Sequence, residues 1–401
     1  MYIHNNYKKN KFLNNKLFKK FIYLIRNNNL KKVVYLFIFI LVLTPLFTAC
    51  TTETVPHKGE WIILDTVMSK PRGTATANIL SDGNVLIMGG FNKDSNVDTA
   101  DIYSPSKNKI VKTIQLTDRR FDGYSTTQMK NGNIFICGGF IWEGNSYIGP
   151  SNTSKIFDIN SYEFKNFVNM PYSPVLHKTV LLDNGHILVI HGTGTITNSN
   201  CKILDGCKYQ IYNADTDSFY LSNNEMSAFG ANFPFKPSDK NLYILQQNEF
   251  QYLYDNEKNI FKKIYEWFPV GGSLTQIDNE NYLALCPNTI CPQQTDEAYV
   301  YNIKTKTKTT IRNGLDMTWT SDSPITIKLS DGNVFIYSRN KAYIYRKKEQ
   351  IIEKIKDPPI PVNNGVAIVQ IDSGEVLLIG GMINKGRNKL ENTDKIQVYK
   401  Y

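Results

Sequence analysis

The stretch Asp82-Gly83-Asn84-Val85-Leu86-Ile87-Met88-Gly89-Gly90 decides how the rest of the chain is read, because it recurs. It returns as Asn131-Gly132-Asn133-Ile134-Phe135-Ile136-Cys137-Gly138-Gly139 and as Ser373-Gly374-Glu375-Val376-Leu377-Leu378-Ile379-Gly380-Gly381. The copy from Asn184 to Gly192 keeps one terminal glycine, and the copy from Asp331 to Tyr337 loses the pair. Lys240 to Leu245 and Glu280 to Leu285 keep only the apolar run. Asp-Gly and Asn-Gly supply the positive φ angles of a tight primed turn, so each copy opens with a β-hairpin whose second strand is the apolar run.

Counted at Asp82, Asn131, Asn184, Asp239, Asn279, Asp331 and Ser373, the intervals are 49, 53, 55, 40, 52 and 42 residues. A period near 50 built from short strands predicts a propeller. A third strand follows each variable loop, as at Asp101-Ile102-Tyr103, Lys155-Ile156-Phe157 and Gln397-Val398-Tyr399. A fourth follows a polar turn, as from Lys109 to Leu116 or Asn259 to Tyr265. Four strands make one blade. The seventh repeat holds only three, while Gly59-Glu60-Trp61-Ile62-Ile63-Leu64-Asp65 precedes the first repeat with no hairpin of its own. This N-terminal strand is expected to complete the last blade, leaving no open edge. The fold class read here is therefore all-β, a seven-bladed propeller over residues 60–401.

These residues resemble the kelch repeat, whose pattern is a turn, an apolar strand ending in Gly-Gly, a later Tyr and a Trp in the outermost strand. Trp61 keeps that tryptophan; Phe164, Phe219 and Phe261 stand near the equivalent places. The resemblance is strong over repeats 1, 2, 3 and 7 and degenerate over 4 to 6.

Residues 1–49 carry nine Lys or Arg and no Asp or Glu, followed within that span by the apolar run Val33 to Leu43. This is an export leader rather than fold. Thr48 and Ala49 lead to Cys50 in a pattern that resembles the lipobox of bacterial lipoproteins, with Phe47 where Leu is usual. The resemblance implies lipidation at Cys50, a tether over residues 50–59, and a bacterial cell-envelope protein at the outer membrane or cell surface. A plain membrane anchor and an ordinary cleaved signal compete for the same apolar stretch.

Removing the leader lowers Lys plus Arg from 46 to 37 against an unchanged 36 Asp plus Glu, so a net charge of +10 becomes +1. A near-neutral chain gives no support to nucleic-acid binding. Cysteine usage agrees with an oxidising compartment: Cys201 with Cys207 and Cys286 with Cys291 form two close pairs suited to small disulfide loops. A metal pair is the alternative, but no His adjoins either, and no metal or other cofactor is expected. Cys137 sits alone in an apolar strand and reads as a small buried hydrophobe.

Propeller ligands bind at the face that collects the loops between second and third strands and between blades. The longest such loops follow the second strands of repeats 2 and 3, and the repeat 2 loop carries Trp142, Glu143 and Tyr147. Exposed Trp and Tyr suit stacking on a sugar ring or a protein partner; packing of the loops onto the rim is the competing role. Arg72, Arg119 and Arg120 reach the same face, where guanidinium groups either hold a carboxylate or brace neighbouring loops. His177 and His191, both in repeat 3, are the one histidine pair among five histidines.

Gly123-Tyr124-Ser125-Thr126-Thr127 through Gly138-Gly139-Phe140-Ile141-Trp142 looks like the blade of galactose oxidase whose Tyr ligates copper and whose Trp covers it. The match fails at the chemistry. The cysteine that crosslinks to that Tyr would fall near Thr74, and no Tyr-His pair stands in the later loops between blades, so a copper radical site lacks its ligands. The sequence thus reads as a cell-envelope binding scaffold for a protein or glycan, through the loop face of blades 1 to 3. A carbohydrate-active enzyme is the alternative, either a sugar mutarotase or a degenerate galactose-oxidase relative.

Overall fold

The computed structural model describes residues 59–401 apart from 93–96, 118–121, 144–145, 191–206, 227–231, 236–241, 247–250, 265–272, 287–296, 314–323 and 387–388. The chain divides into two units after His57, and every described residue belongs to the second. Cys50 and the leader fall in the first and lie outside the described residues.

All regular structure among the described residues is β. Seven sheets follow one another along the chain, each built on four antiparallel strands. Sheet 1 comprises Thr76–Ile79, Val85–Met88, Thr99–Ser104 and Lys109–Gln115; sheet 2 comprises Tyr124–Gln128, Ile134–Gly138, Thr153–Asp158 and Glu163–Asn169. Sheets 3 to 6 open at Lys178–Leu181, Asn232–Phe235, Ser273–Gln276 and Ile325–Lys328. Sheet 6 gains a short parallel strand, Arg312–Asn313, at its outer edge. Sheet 7 takes Ala367–Gln370, Val376–Ile379 and Lys395–Lys400 from the end of the chain and Glu60–Val67 from the beginning. Glu60 pairs with Lys400 and Trp61 with Tyr399, so the two ends of this unit share one sheet.

The continuous apolar runs have a simple cause. A strand places successive side chains on opposite faces, and here both faces are covered. Val85 and Ile87 pack toward sheet 7, while Leu86 and Met88 pack toward sheet 2. In sheet 3, Ile187 and Val189 meet sheet 2, and Leu188 and Ile190 meet sheet 4. The first strands of sheets 4, 3, 2, 1, 7, 6 and 5 lie side by side in that order, and apolar layers of this kind lie between neighbours in it.

The double glycines serve the junctions between sheets. Gly381 donates its N–H to the Arg72 carbonyl at 2.7 Å, and Gly139 donates to the Pro174 carbonyl at 2.9 Å. The preceding glycine must let that carbonyl approach: a Cβ on Gly380 would stand 2.4 Å from Arg72 O, and one on Gly138 2.2 Å from Pro174 O. Where no long loop leaves the second strand, the pair is unnecessary. In sheet 6, Arg339 (φ 45°) and Asn340 (φ 63°) make a two-residue primed turn between the second and third strands instead.

Candidate functional site

The ends of the second strands and the segments leading into the first strands define one face of the fold, which bears the long loops. At sheet 2 the loop is itself a hairpin, Phe140–Glu143 paired with Ser146–Pro150. Its register shifts between Ile141 and Trp142, leaving Ile148 as the extra residue of a bulge. Phe140 and Trp142 both meet the Tyr147 ring edge to face, at 5.8 and 5.5 Å. Two such contacts fix Tyr147 in one orientation while 48% of its surface stays open. The Phe140 ring lies over Gly123, whose Cβ would meet it at 2.8 Å, and Leu176 N–H donates to the Gly123 carbonyl at 2.8 Å. The Leu176 backbone thereby lies beside Gly123, the residue that Phe140 covers, and 56% of Leu176 is exposed. Glu143 is exposed at the hairpin's outer end.

Beneath this surface the polar residues of the face are engaged with the fold. Arg72 is wholly buried: Nη2 pairs with Asp101 Oδ2 at 2.9 Å and donates to Thr99 Oγ1 at 3.0 Å, and Nη1 donates to the carbonyls of Thr99 and Gly89 at 2.9 and 3.3 Å. Desolvation lowers its proton affinity, and Asp101 opposes that. Asp101 also accepts from Ser69 N, Ser69 Oγ and Thr113 Oγ1. Tyr124 is buried between sheets 1 and 2, where its hydroxyl donates to Met88 O at 2.6 Å and lies 2.9 Å from Thr76 Oγ1. His177 is buried with Nε2 3.2 Å from Cys137 Sγ. Cys137 lies in the apolar layer between sheets 2 and 3.

The structure therefore brings Trp142 and Tyr147 together on the surface, with Glu143 at the hairpin's end, and buries Arg72 and Tyr124 as neighbours on the adjacent carbonyls of Gly89 and Met88, while His177 is buried against Cys137. Arg119, Arg120 and His191 lie outside the described residues, as do Cys201, Cys291 and the side chains of Cys207 and Cys286. Sequence reasoning missed Ile148 and Leu176, which the hairpin bulge and an unusual backbone conformation turn outward. It also missed Asp122, a half-buried acid next to Gly123 whose carboxyl is pushed upward by burial, opposed by its own backbone N–H. Its place directly before Gly123 was the available signal.

The fold resembles that of a fungal alcohol oxidase. That enzyme, a member of the AA5 family solved in complex with copper, aligns with a TM-score of 0.63 over 86% of this chain and 76% of its own, at 12% sequence identity. The likeness is one of fold. No protein-family model matches the chain, and no curated protein does. The described residues do not fit a copper centre: the Tyr124 phenol is engaged with Met88 and Thr76, and no three His, Cys, Asp or Glu side chains converge among them.

Proposed function

We propose that this chain is a seven-bladed, kelch-type β-propeller whose loop face, at blades 1 to 3, binds a protein or glycan. The seven successive sheets, the side-by-side first strands and the sharing of sheet 7 by both ends of the unit support the propeller. One observation carries the binding reading. Tyr147 is held between Phe140 and Trp142 with about half of its surface open, whereas Arg72, Tyr124 and His177 are spent on internal bonds. Rigid aromatics supply contact area at low entropic cost.

We further propose lipidation at Cys50 and placement in the bacterial cell envelope, on the strength of the leader. Gly59 enters the described unit beside Tyr399, at the end of sheet 7 opposite the loop face.

The test is a glycan array on the full chain, with thermal shift as the second readout, since a ligand that binds only the folded state raises apparent stability. Loss of a glycan signal in Tyr147→Ala and Trp142→Ala is the expected result for a sugar ligand. A ligand that binds both variants as well as the parent would remove the site from this face.

A carbohydrate-active enzyme remains the second reading because of Asp122, a carboxyl whose proton affinity burial raises, next to Gly123 at the edge of the same surface. A mutarotase of this kind would speed anomer exchange in a polarimeter and lose that activity in Asp122→Asn. Exchange at the uncatalysed rate with the parent chain would dispose of it.

A further inference from the structure

Ile148 and Leu176 expose aliphatic side chains for which the fold has no use. Leu176 sits at φ 50°, in the left-handed region where a branched, bulky residue is strained. The fold requires that backbone shape: Thr74, at φ 56°, holds the matching place before sheet 1 and donates to the Gly365 carbonyl at 2.7 Å, as Leu176 donates to Gly123. It does not require the leucine, since glycine would adopt the shape without strain. Ile148 has the same character. It is the extra residue of the bulge, 58% exposed, and is followed by Gly149 at φ 150° in open space. Bulges re-aim side chains, and strained backbone gathers at functional surfaces.

We infer that Tyr147, Ile148 and Leu176 form the docking site for a short apolar segment of a partner protein. The inference rests on the reading of this face as a binding surface and names its ligand class. Two features select this occupant. The three residues keep about half of their surface open, together on the order of 300 Å², whereas a second copy of the chain would need roughly 800 Å² a side for a standard interface. That area matches a few side chains of one segment. Two of the three residues are aliphatic and offer no π face on which a sugar could stack, so they complement apolar side chains instead. The bulge interrupts regular pairing along the hairpin, so the segment is held by its side chains and not by adding a strand.

The experiment is selection of a displayed random-peptide library on the full chain, followed by titration of synthetic winners against Ile148→Ser and Leu176→Gly. Enrichment of peptides with paired apolar residues is expected, with affinity falling about tenfold or more in each variant. Leu176→Gly is expected to melt at the same temperature as the parent or higher, because it relieves the left-handed leucine. A large fall in its melting temperature would assign Leu176 to the fold and overturn the inference. So would failure to enrich an apolar motif, or winners that bind both variants as well as the parent. A glycan array run on the same protein separates the two levels. A glycan lost in Tyr147→Ala but kept in Ile148→Ser leaves the binding face standing and overturns the peptide, while silence in both screens overturns both.

Discussion

Arg72 holds its charge where no water reaches it, and the fold answers with a carboxylate, three carbonyls and two hydroxyls. Such a pair adds little over a well-packed apolar substitute, but removing one partner strands the other. Arg72→Met leaves the Asp101 carboxyl buried with only Ser69 and Thr113 as donors. It is expected to lower the unfolding free energy by roughly 3 kcal/mol or more in urea denaturation. Adding Asp101→Leu to Arg72→Met should recover part of that loss. If the double variant is no more stable than Arg72→Met, the coupling between the two residues is not what holds this junction. Arg72 also marks the limit of sequence reading at this scale. Its position beside the loops was evident, but whether it faces outward or lies under the surface depends on Asp101, 29 residues away and on another strand.

Asp101 belongs to a series that only register discloses. It faces Ile87, the third residue of the apolar run, and the same place holds Gln210 opposite Val189 and Gln397 opposite Leu378. Each pins the segment leading into its own sheet: Asp101 accepts from Ser69 N, Gln210 from Tyr172 N and Gln397 from Ile360 N, at 3.0, 2.9 and 2.8 Å. Gln397 also donates to Ile360 O at 3.1 Å. Gln397→Leu would orphan the Ile360 N–H and leave its carbonyl with Val362 N–H alone, so a loss of roughly 2 kcal/mol is expected, read as a lower urea midpoint at unchanged slope. A midpoint equal to the parent's would show that Ile360 is held some other way. The turns and apolar runs were legible because their signals are local: a turn dipeptide with positive φ, then four apolar residues buried on both sides. The braces were not, since Asp101, Gln210 and Gln397 share a place and a task but not a residue type. The hairpin that carries Trp142 and Tyr147 was read as a loop, because nothing in the repeat encodes it. Ile148 and Leu176 were invisible for a related reason: apolar residues in a loop usually pack inward, and only the bulge and the left-handed backbone reverse that.

At the scale of the whole unit, its two ends meet in sheet 7. Trp61 packs against Tyr399 at 5.1 Å and Phe335 at 6.3 Å and donates to Lys356 O at 2.6 Å, so one residue joins both ends of sheet 7 to sheet 6. Tyr401 extends the closure by accepting from Arg346 Nη1 at 2.7 Å and from Asn333 on the neighbouring turn. Tyr162 binds the Asp82 and Asn84 turn of sheet 1 in the same manner. Tyrosines therefore lie in the layers and clasps between sheets, and their phenols resist ionisation. Burial pushes Tyr103, Tyr345 and Tyr401 up to about 12, helped by Glu375, Asp278 and the Asp331 hydrogen bond respectively. Burial likewise raises Tyr209, Tyr212, Tyr254 and Tyr337. An unfolded tyrosine ionises near pH ~10, so above that pH the folded chain retains protons that the unfolded chain has lost. Stability is then complete below pH ~10 and falls as pH rises through about 12. Titration to high pH is expected to show phenolate absorbance rising late and together with loss of the far-UV signal, in one cooperative step. Phenolate appearing near pH ~10 while the circular dichroism stays native would mean that these rings are open to hydroxide and do not seal the junctions between sheets.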